Sequence, residues 1–435
     1  MQDSASSYKE LREQAEKIVA LRQSKAFRRK VFFARLKEQL LKGTIEEKRD
    51  FLAFVAAKLG RKGKEFRPLS DFDPTGGIER QTADSLISAY SSAEHGAQVA
   101  VFSRLPYHAS GDGQRGAQIA KTFKRMGYDV LYFYLGDNFY SFDRDFVDEV
   151  SLHLPLIYFD EERLCSILEP GAIAIFENPD VNFLPYLYAL KEHGVKTVYE
   201  HIDNWETALG AGWYDRGTYL SFVKGADLLI GTARNLCEMV SKDAGRPVLY
   251  NANAVDIELF DHKREYSVPD DVIKGEKTLL YYGHLKGQWL DWDLLYDTAE
   301  LCPECSFMII GFGEPGSERR APVNVHFLGA RKQRSLPAYL AASDMGMLHF
   351  KTGEIGKYVS PLKIFEYLAM HKRVLSTPLP DIENYPNVFC STDPAAWAAA
   401  IKNPPKEEQY DAFVEGNSWY ARCRAIIAEV AKSEA

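Results

Sequence analysis

Between residues 277 and 377 the sequence alternates short apolar runs with segments of helical spacing, and this alternation constrains the fold more than any other feature. Residues 277–282, 306–310, 323–328, 345–350 and 373–377 read as strands, and 292–301 and 336–342 have the apolar spacing of helices. Short strands alternating with helices imply a parallel, doubly wound sheet, whose ligands sit beyond the carboxyl ends of the strands. Gly283, Gly311 and Gly313 fall at that edge.

A similar series occupies the first half. Residues 98–103, 129–135, 172–176, 196–199, 227–230 and 247–250 read as strands, with helices expected over 116–126, 183–193 and 233–244. A chain of 435 residues exceeds one ordinary domain, so two Rossmann-like domains plus an appendage are expected. The expected boundaries are a basic helical extension over 1–95, a first α/β domain over 96–260, and a polar linker over 261–276. A second α/β domain over 277–405 and a C-terminal helix over 406–435 complete the division.

The chemistry concentrates in Ser360-Pro361-Leu362-Lys363-Ile364-Phe365-Glu366. Ser360 suits an N-cap and Pro361 the first helical position, so the helix would open with unpaired N–H groups and a partial positive charge. Lys363 adds a full charge in the first turn, and the whole reads as a phosphate cradle. Glu366, three residues on, projects from the same side about one turn deeper, where a carboxylate can accept from ribose hydroxyls. An ordinary surface helix can carry the same residues, and the surrounding sequence argues against that bland reading.

That context resembles a family. Tyr281-Tyr282-Gly283, Trp289-Leu290-Asp291, Ile309-Ile310-Gly311-Phe312-Gly313, Val325-His326-Phe327-Leu328-Gly329, Leu336-Pro337-Ala338-Tyr339-Leu340 with Ser343-Asp344, and the Lys363/Glu366 helix are similar in order to the nucleotide-sugar half of GT-B glycosyltransferases. The resemblance narrows to family 4-like enzymes, namely teichuronic-acid-type transferases and the xanthan-pathway glucuronosyltransferase. Asn417-Ser418-Trp419 with Arg422 resembles the opening of these enzymes' last helix, which crosses back to the first domain. The resemblance implies two domains facing a cleft, with the acceptor held by the first and a UDP- or GDP-linked sugar by the second. Donor contacts would come from Gly283, His284, Gly311, Gly313, Ser360, Leu362, Lys363 and Glu366. The acceptor would be a glycan or lipid-linked molecule, and the product a surface polysaccharide. A nucleotide-sugar 2-epimerase and a non-catalytic binding module on a decayed transferase share the architecture and stay as alternatives.

Tyr199-Glu200-His201-Ile202-Asp203-Asn204-Trp205-Glu206 places four titratable groups just after a strand. The resemblance implies Asp203 as the base that deprotonates the acceptor, with His201 in reserve. Asp203 as a helix cap, and His201 as an inward strand residue, are the bland readings. Gln114 and Arg115 are expected on an acceptor loop with Gly111, Gly113 and Gly116. Tyr358 stands where many retaining members carry Glu, which leaves the stereochemistry open.

Several motifs carry less. Gly311-Phe312-Gly313-Glu314-Pro315-Gly316 matches a dinucleotide fingerprint, but Pro315 and Pro322 leave no room for its helix. Cys302-Pro303-Glu304-Cys305 lacks the second pair of a zinc site. The Asp-x-Asp triplets at 71–73, 143–145 and 291–293 suggest metal-bound phosphate, whereas the helix end and Lys363 would meet that charge here, so no obligatory metal or cofactor is expected. Six cysteines without a framework and no long apolar run fit a reducing, cytoplasmic setting. Residues 1–67 hold 18 basic and 9 acidic side chains, a net +9 that leaves −17 for the rest of a chain totalling −8. The basic amphipathic stretch over 25–37 suits an anionic membrane surface or a partner domain. An acidic body fits nucleic acid poorly.

Overall fold

The computed structural model describes residues 80–107, 113–135, 150–210, 212–285, 289–313, 315–353, 356–404 and 410–432. The basic stretch 25–37 and residues 108–112 of the expected acceptor loop lie outside them.

The first lobe runs α1 (Arg80–Ser91), β1 (Gln98–Ser103), α2 (Arg115–Arg125), β2 (Asp129–Tyr134), β3 (Leu152–Pro155), α3 (Glu161–Cys165), β4 (Ile173–Phe176) and α4 (Leu184–Glu192). It continues through β5 (Lys196–His201), α5 (Arg216–Gly225), β6 (Leu228–Gly231), α6 (Arg234–Ala244) and β7 (Leu249–Tyr250). The second lobe holds β8 (Thr278–His284), α7 (Trp292–Leu301), β9 (Ser306–Phe312), β10 (Val325–Gly329), α8 (Leu336–Ala341), β11 (Met345–Leu348), α9 (Leu362–Ala369), β12 (Arg373–Ser376), β13 (Val388–Cys390) and α10 (Pro394–Lys402). Two helices close the chain, α11 (Asp411–Gly416) and α12 (Trp419–Lys432).

The sheets are ordered β3-β2-β1-β4-β5-β6-β7 and β10-β9-β8-β11-β12-β13, with every pairing parallel. Each chain of strands therefore reverses direction once, between β1 and β4 and between β8 and β11, and such switch points open the crevices where ligands bind.

Alternation along the strands divides the first lobe's core in two. Ala100 and Phe102 pack on one face with Ala83, Ile87 and Tyr90 of α1, while Val99 and Val101 pack on the other with α2 and Trp419 of α12. Helix α1 thus belongs to the packed first lobe, although its sequence had been grouped with the basic extension. The C-terminal helix α12 is tied to the end of the first lobe: Trp419 N–H donates to Val255 O at 3.1 Å, and Arg422 Nε donates to Ala252 O at 2.9 Å. Residues 261–276 form no helix or strand, and Asp271 fastens them to the second lobe through Tyr339 at 2.8 Å. Among the described residues no helix is long and apolar enough to cross a membrane.

Candidate functional site

At the β8/β11 switch point the structure brings Gly283 and Lys363 together. Gly283 has φ +149°, and a Cβ there would lie 2.5 Å from Lys363 Cε and 2.8 Å from Nζ. A side chain there would push the end of the lysine aside, and the positive φ disfavours one whatever the space. The ammonium sits 5.6 Å from the centre of the Tyr281 ring and 5.8 Å from that of Phe350. Among the described residues it makes no hydrogen bond and no salt bridge. Burial lowers its pKa, against the opposing pull of Glu366. A cation held by ring faces and lacking a bonded anion, in the first turn of a helix, is a receptor for negative charge.

The helix itself starts one residue later than the sequence suggested. Pro361 occupies the cap position without a side-chain cap, and α9 begins at Leu362. Ser360 instead accepts from Asn253 N–H at 3.1 Å through Oγ, and its carbonyl accepts from Asn253 Nδ2 at 2.6 Å. Its role as N-cap is corrected to a clasp on the first lobe. Leu362 packs on the same lobe's core around Trp419.

Glu366 does not present the free carboxylate expected for a ribose. It is 2% exposed; Tyr282 donates its O–H to Oε2 at 2.5 Å and Gln333 Nε2 donates to Oε1 at 2.8 Å. Gln333 Oε1 in turn accepts from Gln118 Nε2 of α2 at 2.8 Å, so a buried polar relay links the lobes. Burial pushes the Glu366 carboxyl up to about 7, while the hydrogen bonds from Tyr282 and Gln333 pull the other way. Gln333 had no signal in the sequence beyond its place ahead of α8.

The other donor-edge residues divide. Gly311 is required by strand packing, since a Cβ there would lie 1.8 Å from Gly283 O, so its expected ligand contact becomes a backbone role. Gly313 turns the chain at φ +88°, and His284 is exposed with its ring 5.7 Å from Trp289. Buried His349, which sequence reasoning overlooked, lies 4.6 Å from the Tyr281 ring and 5.2 Å from that of Trp292, with neither nitrogen hydrogen-bonded. Burial first, then Lys363, hold its pKa down to about 3, so it lines this pocket as a neutral ring.

In the first lobe Asp203 follows β5 and is half-buried, with no hydrogen bond or ion pair among the described residues. It does not cap a helix; Asn204 Oδ1 takes the turn by accepting from Glu206 N–H at 3.1 Å. Desolvation pushes the Asp203 carboxyl up to about 7. A carboxylate poised there can accept a proton near neutral pH.

His201 is corrected. Strand β5 runs two residues further than expected, so His201 faces the core, 1% exposed and 2.6 Å from Tyr199 O–H through Nδ1. Burial lowers its pKa to about 3, which leaves a weak base out of reach of solvent. Arg115 is corrected too: it opens α2, is 5% exposed, and grips Glu200 with Nη2 to Oε1 at 2.7 Å and Nε to Oε2 at 3.0 Å. Its Nη1 donates to Ala252 O at 3.0 Å, and a guanidinium occupied by a buried carboxylate and a backbone carbonyl is a scaffold element. Gln114 beside it is exposed.

Glu177, which the sequence reading passed over, sits just beyond β4 at the β1/β4 switch point. It is 3% exposed, its Oε1 has no hydrogen-bond partner among the described residues, and burial with help from Glu200 pushes its pKa up to about 7. Its position after the central strand was the one available signal.

Known proteins resemble this chain in part of its sequence and in its fold. Residues 276–403 match the family model described as glycosyl transferases group 1. TuaH of Bacillus subtilis (strain 168), named as a teichuronic acid biosynthesis glycosyltransferase, is 28% identical over 173 residues, which cover 37% of this chain and 43% of TuaH. This chain therefore matches less than half the length of that relative. Among solved structures, HepE of Anabaena in complex with UDP and glucose superposes with a TM-score of 0.56 at 15% identity, over 78% of this chain and all of that one (100%). A glycosyltransferase from Rickettsia africae ESF-5 gives 0.55 at 12% identity, over 78% and 99% of the two chains. The fold is GT-B.

Proposed function

We propose that this chain, a GT-B protein whose second lobe is a glycosyl transferases group 1 domain, moves a sugar from a nucleoside-diphosphate donor to a hydroxyl-bearing glycan or lipid-linked acceptor. The observation that carries the reading is the Lys363 ammonium, placed in the first turn of α9 against Gly283 and bonded to no carboxylate among the described residues. A diphosphate that departs with two or more negative charges meets there a full positive charge and unpaired helix N–H groups. UDP is the favoured nucleotide, because HepE of Anabaena was solved with UDP and glucose; GDP is the second choice.

In this reading Asp203 takes the proton as the acceptor oxygen attacks the anomeric carbon, and that oxygen's new bond replaces the bond to the leaving diphosphate. Glu366 receives the ribose once a hydroxyl takes over the position at Oε1 that Gln333 holds. Lys363 and the helix end supply the leaving-group charge, so the transfer needs no metal.

The test is a panel of UDP- and GDP-sugars incubated with glycan and lipid-linked acceptors, with released nucleotide and product read by mass spectrometry. Acceptor-dependent release that persists in excess EDTA supports the proposal. A panel that yields nucleotide binding without release, or product without acceptor, contradicts it, and the latter would favour an epimerase.

A further inference from the structure

Two imidazoles and a carboxylate converge where the donor chemistry does not reach. His262 lies in the segment after the first lobe, His371 directly follows α9, and Asp411 opens α11. One nitrogen or oxygen from each lies within 4.8 Å of the other two. The two rings stack with centroids 3.5 Å apart and planes 15° from parallel, and His371 Nε2 lies 2.9 Å from Asp411 Oδ1. Side-chain exposures of 31% for His371 and 71% for Asp411 leave the cluster open to solutes.

The backbone at His371 is a second, independent sign. His371 N–H donates to Leu368 O at 2.9 Å and Lys372 N–H to Tyr367 O at 3.0 Å, the pair of bonds that ends a helix through a left-handed residue. His371 has φ +52°, at the position where glycine is the common choice. A side chain kept on a strained backbone calls for a use of that side chain. Its ion pair with Asp411 accounts for two of the three groups. It does not involve His262, whose ring stacks on His371 and makes no hydrogen bond or ion pair among the described residues.

We propose that His262, His371 and Asp411 bind a divalent transition-metal ion of the zinc class. Two imidazole nitrogens and one carboxylate oxygen are the three-ligand set of such ions, with water completing a tetrahedron. Bonds of roughly 2.0–2.2 Å put ligand atoms about 3.3–3.6 Å apart, and because each imidazole binds in its ring plane, one ring swings out of the stack about χ2 to meet the ion. The ion takes the place of the hydrogen between His371 Nε2 and Asp411 Oδ1; that hydrogen moves to Nδ1 of a neutral ring, or to solvent from an imidazolium. Its ligands come from the segment after the first lobe, the end of the motif helix and the segment that leads back to the first lobe. The ion therefore fastens three segments at the lobe junction. The site lies about 12 Å along α9 from the end that holds Lys363, so it is separate from sugar transfer.

The test uses untagged full-length protein stripped with chelator, titrated with Zn²⁺ by calorimetry and with Co²⁺ by visible absorption. The expected result is one ion per chain, a Zn²⁺-dependent rise in Tm, and at least about tenfold weaker binding in both His262→Ala and His371→Gly. His371→Gly suits the left-handed backbone, so a folded variant that loses the ion assigns the loss to the imidazole. No uptake by wild-type protein at about 100 μM free Zn²⁺ overturns the proposal. Unchanged binding in both variants overturns it as well. So does a thiolate charge-transfer band that disappears in Cys302→Ser, which would place the ion on the buried Cys302/Cys305 pair.

Discussion

The two lobes repeat one strand order, yet their functional edges carry opposite charge. At the β8/β11 crevice the conspicuous group is the Lys363 ammonium, with no bonded anion among the described residues, whereas the first lobe offers carboxyl groups, Glu177 at β1/β4 and Asp203 after β5. Burial acts on both in the same sense, away from charge: it lowers the lysine and raises each carboxyl to about 7. Topology places a crevice in each lobe. The side chains then make one suited to an anionic leaving group and the other to a hydroxyl that must lose a proton.

The sharpest way to break this comparison is Asp203→Asn. Transfer should drop by about 10²–10⁴-fold with nucleotide affinity unchanged, as measured by steady-state kinetics beside calorimetry. Wild-type turnover should climb as pH rises through about 7, where the Asp203 carboxyl gives up its proton. A flat profile from pH 5 to about 9 would remove Asp203 as the base. Next comes Gly283→Ala, whose Cβ would meet Lys363 Cε at 2.5 Å. It should cost about 1–3 kcal/mol in chemical denaturation and weaken nucleotide binding, tying the glycine to the lysine.

A smaller effect is expected from Tyr282→Phe, which deletes the O–H donated to Glu366 and should cost about 0.5–1.5 kcal/mol of stability in urea melts. The smallest concerns pH. Glu177 has a folded-state pKa raised above its ordinary value to about 7, so the native protein keeps a proton that the unfolded chain releases. That contribution is present in full below about 4.5, and is lost as pH rises to about 7. Glu177→Gln should therefore flatten the decline in stability across this window, as read from melts at its two ends.

How much of this was legible in the sequence depended on the range of the interaction. Strand β1 and helix α7 have the bounds expected from local apolar pattern, β9 runs two residues further, and β8 starts one residue and ends two residues later than expected. Strand β3 escaped notice because His153 interrupts its apolar run and Pro155 ends it, and β13 because its three residues are only half-buried. Lys363 and Gly283 were legible as a motif and a strand end, but their contact was not. Arg115 shows the limit most clearly. Its partner Glu200 is 85 residues away, so a residue read as part of an acceptor loop turned out to be buried scaffold. Glu366 was read from its helical offset, which said nothing of Gln333 and Tyr282 waiting on the neighbouring elements.

The most direct test of the central claim is calorimetric titration of UDP and GDP into wild-type protein and Lys363→Ala. The account requires that one of the nucleotides binds the wild type and that the variant binds it about 10–100-fold more weakly, the value of one charge-assisted contact of roughly 1.5–3 kcal/mol. Equal affinity in the two proteins would show that the lysine at the head of α9 does not receive the diphosphate, and the account would fail.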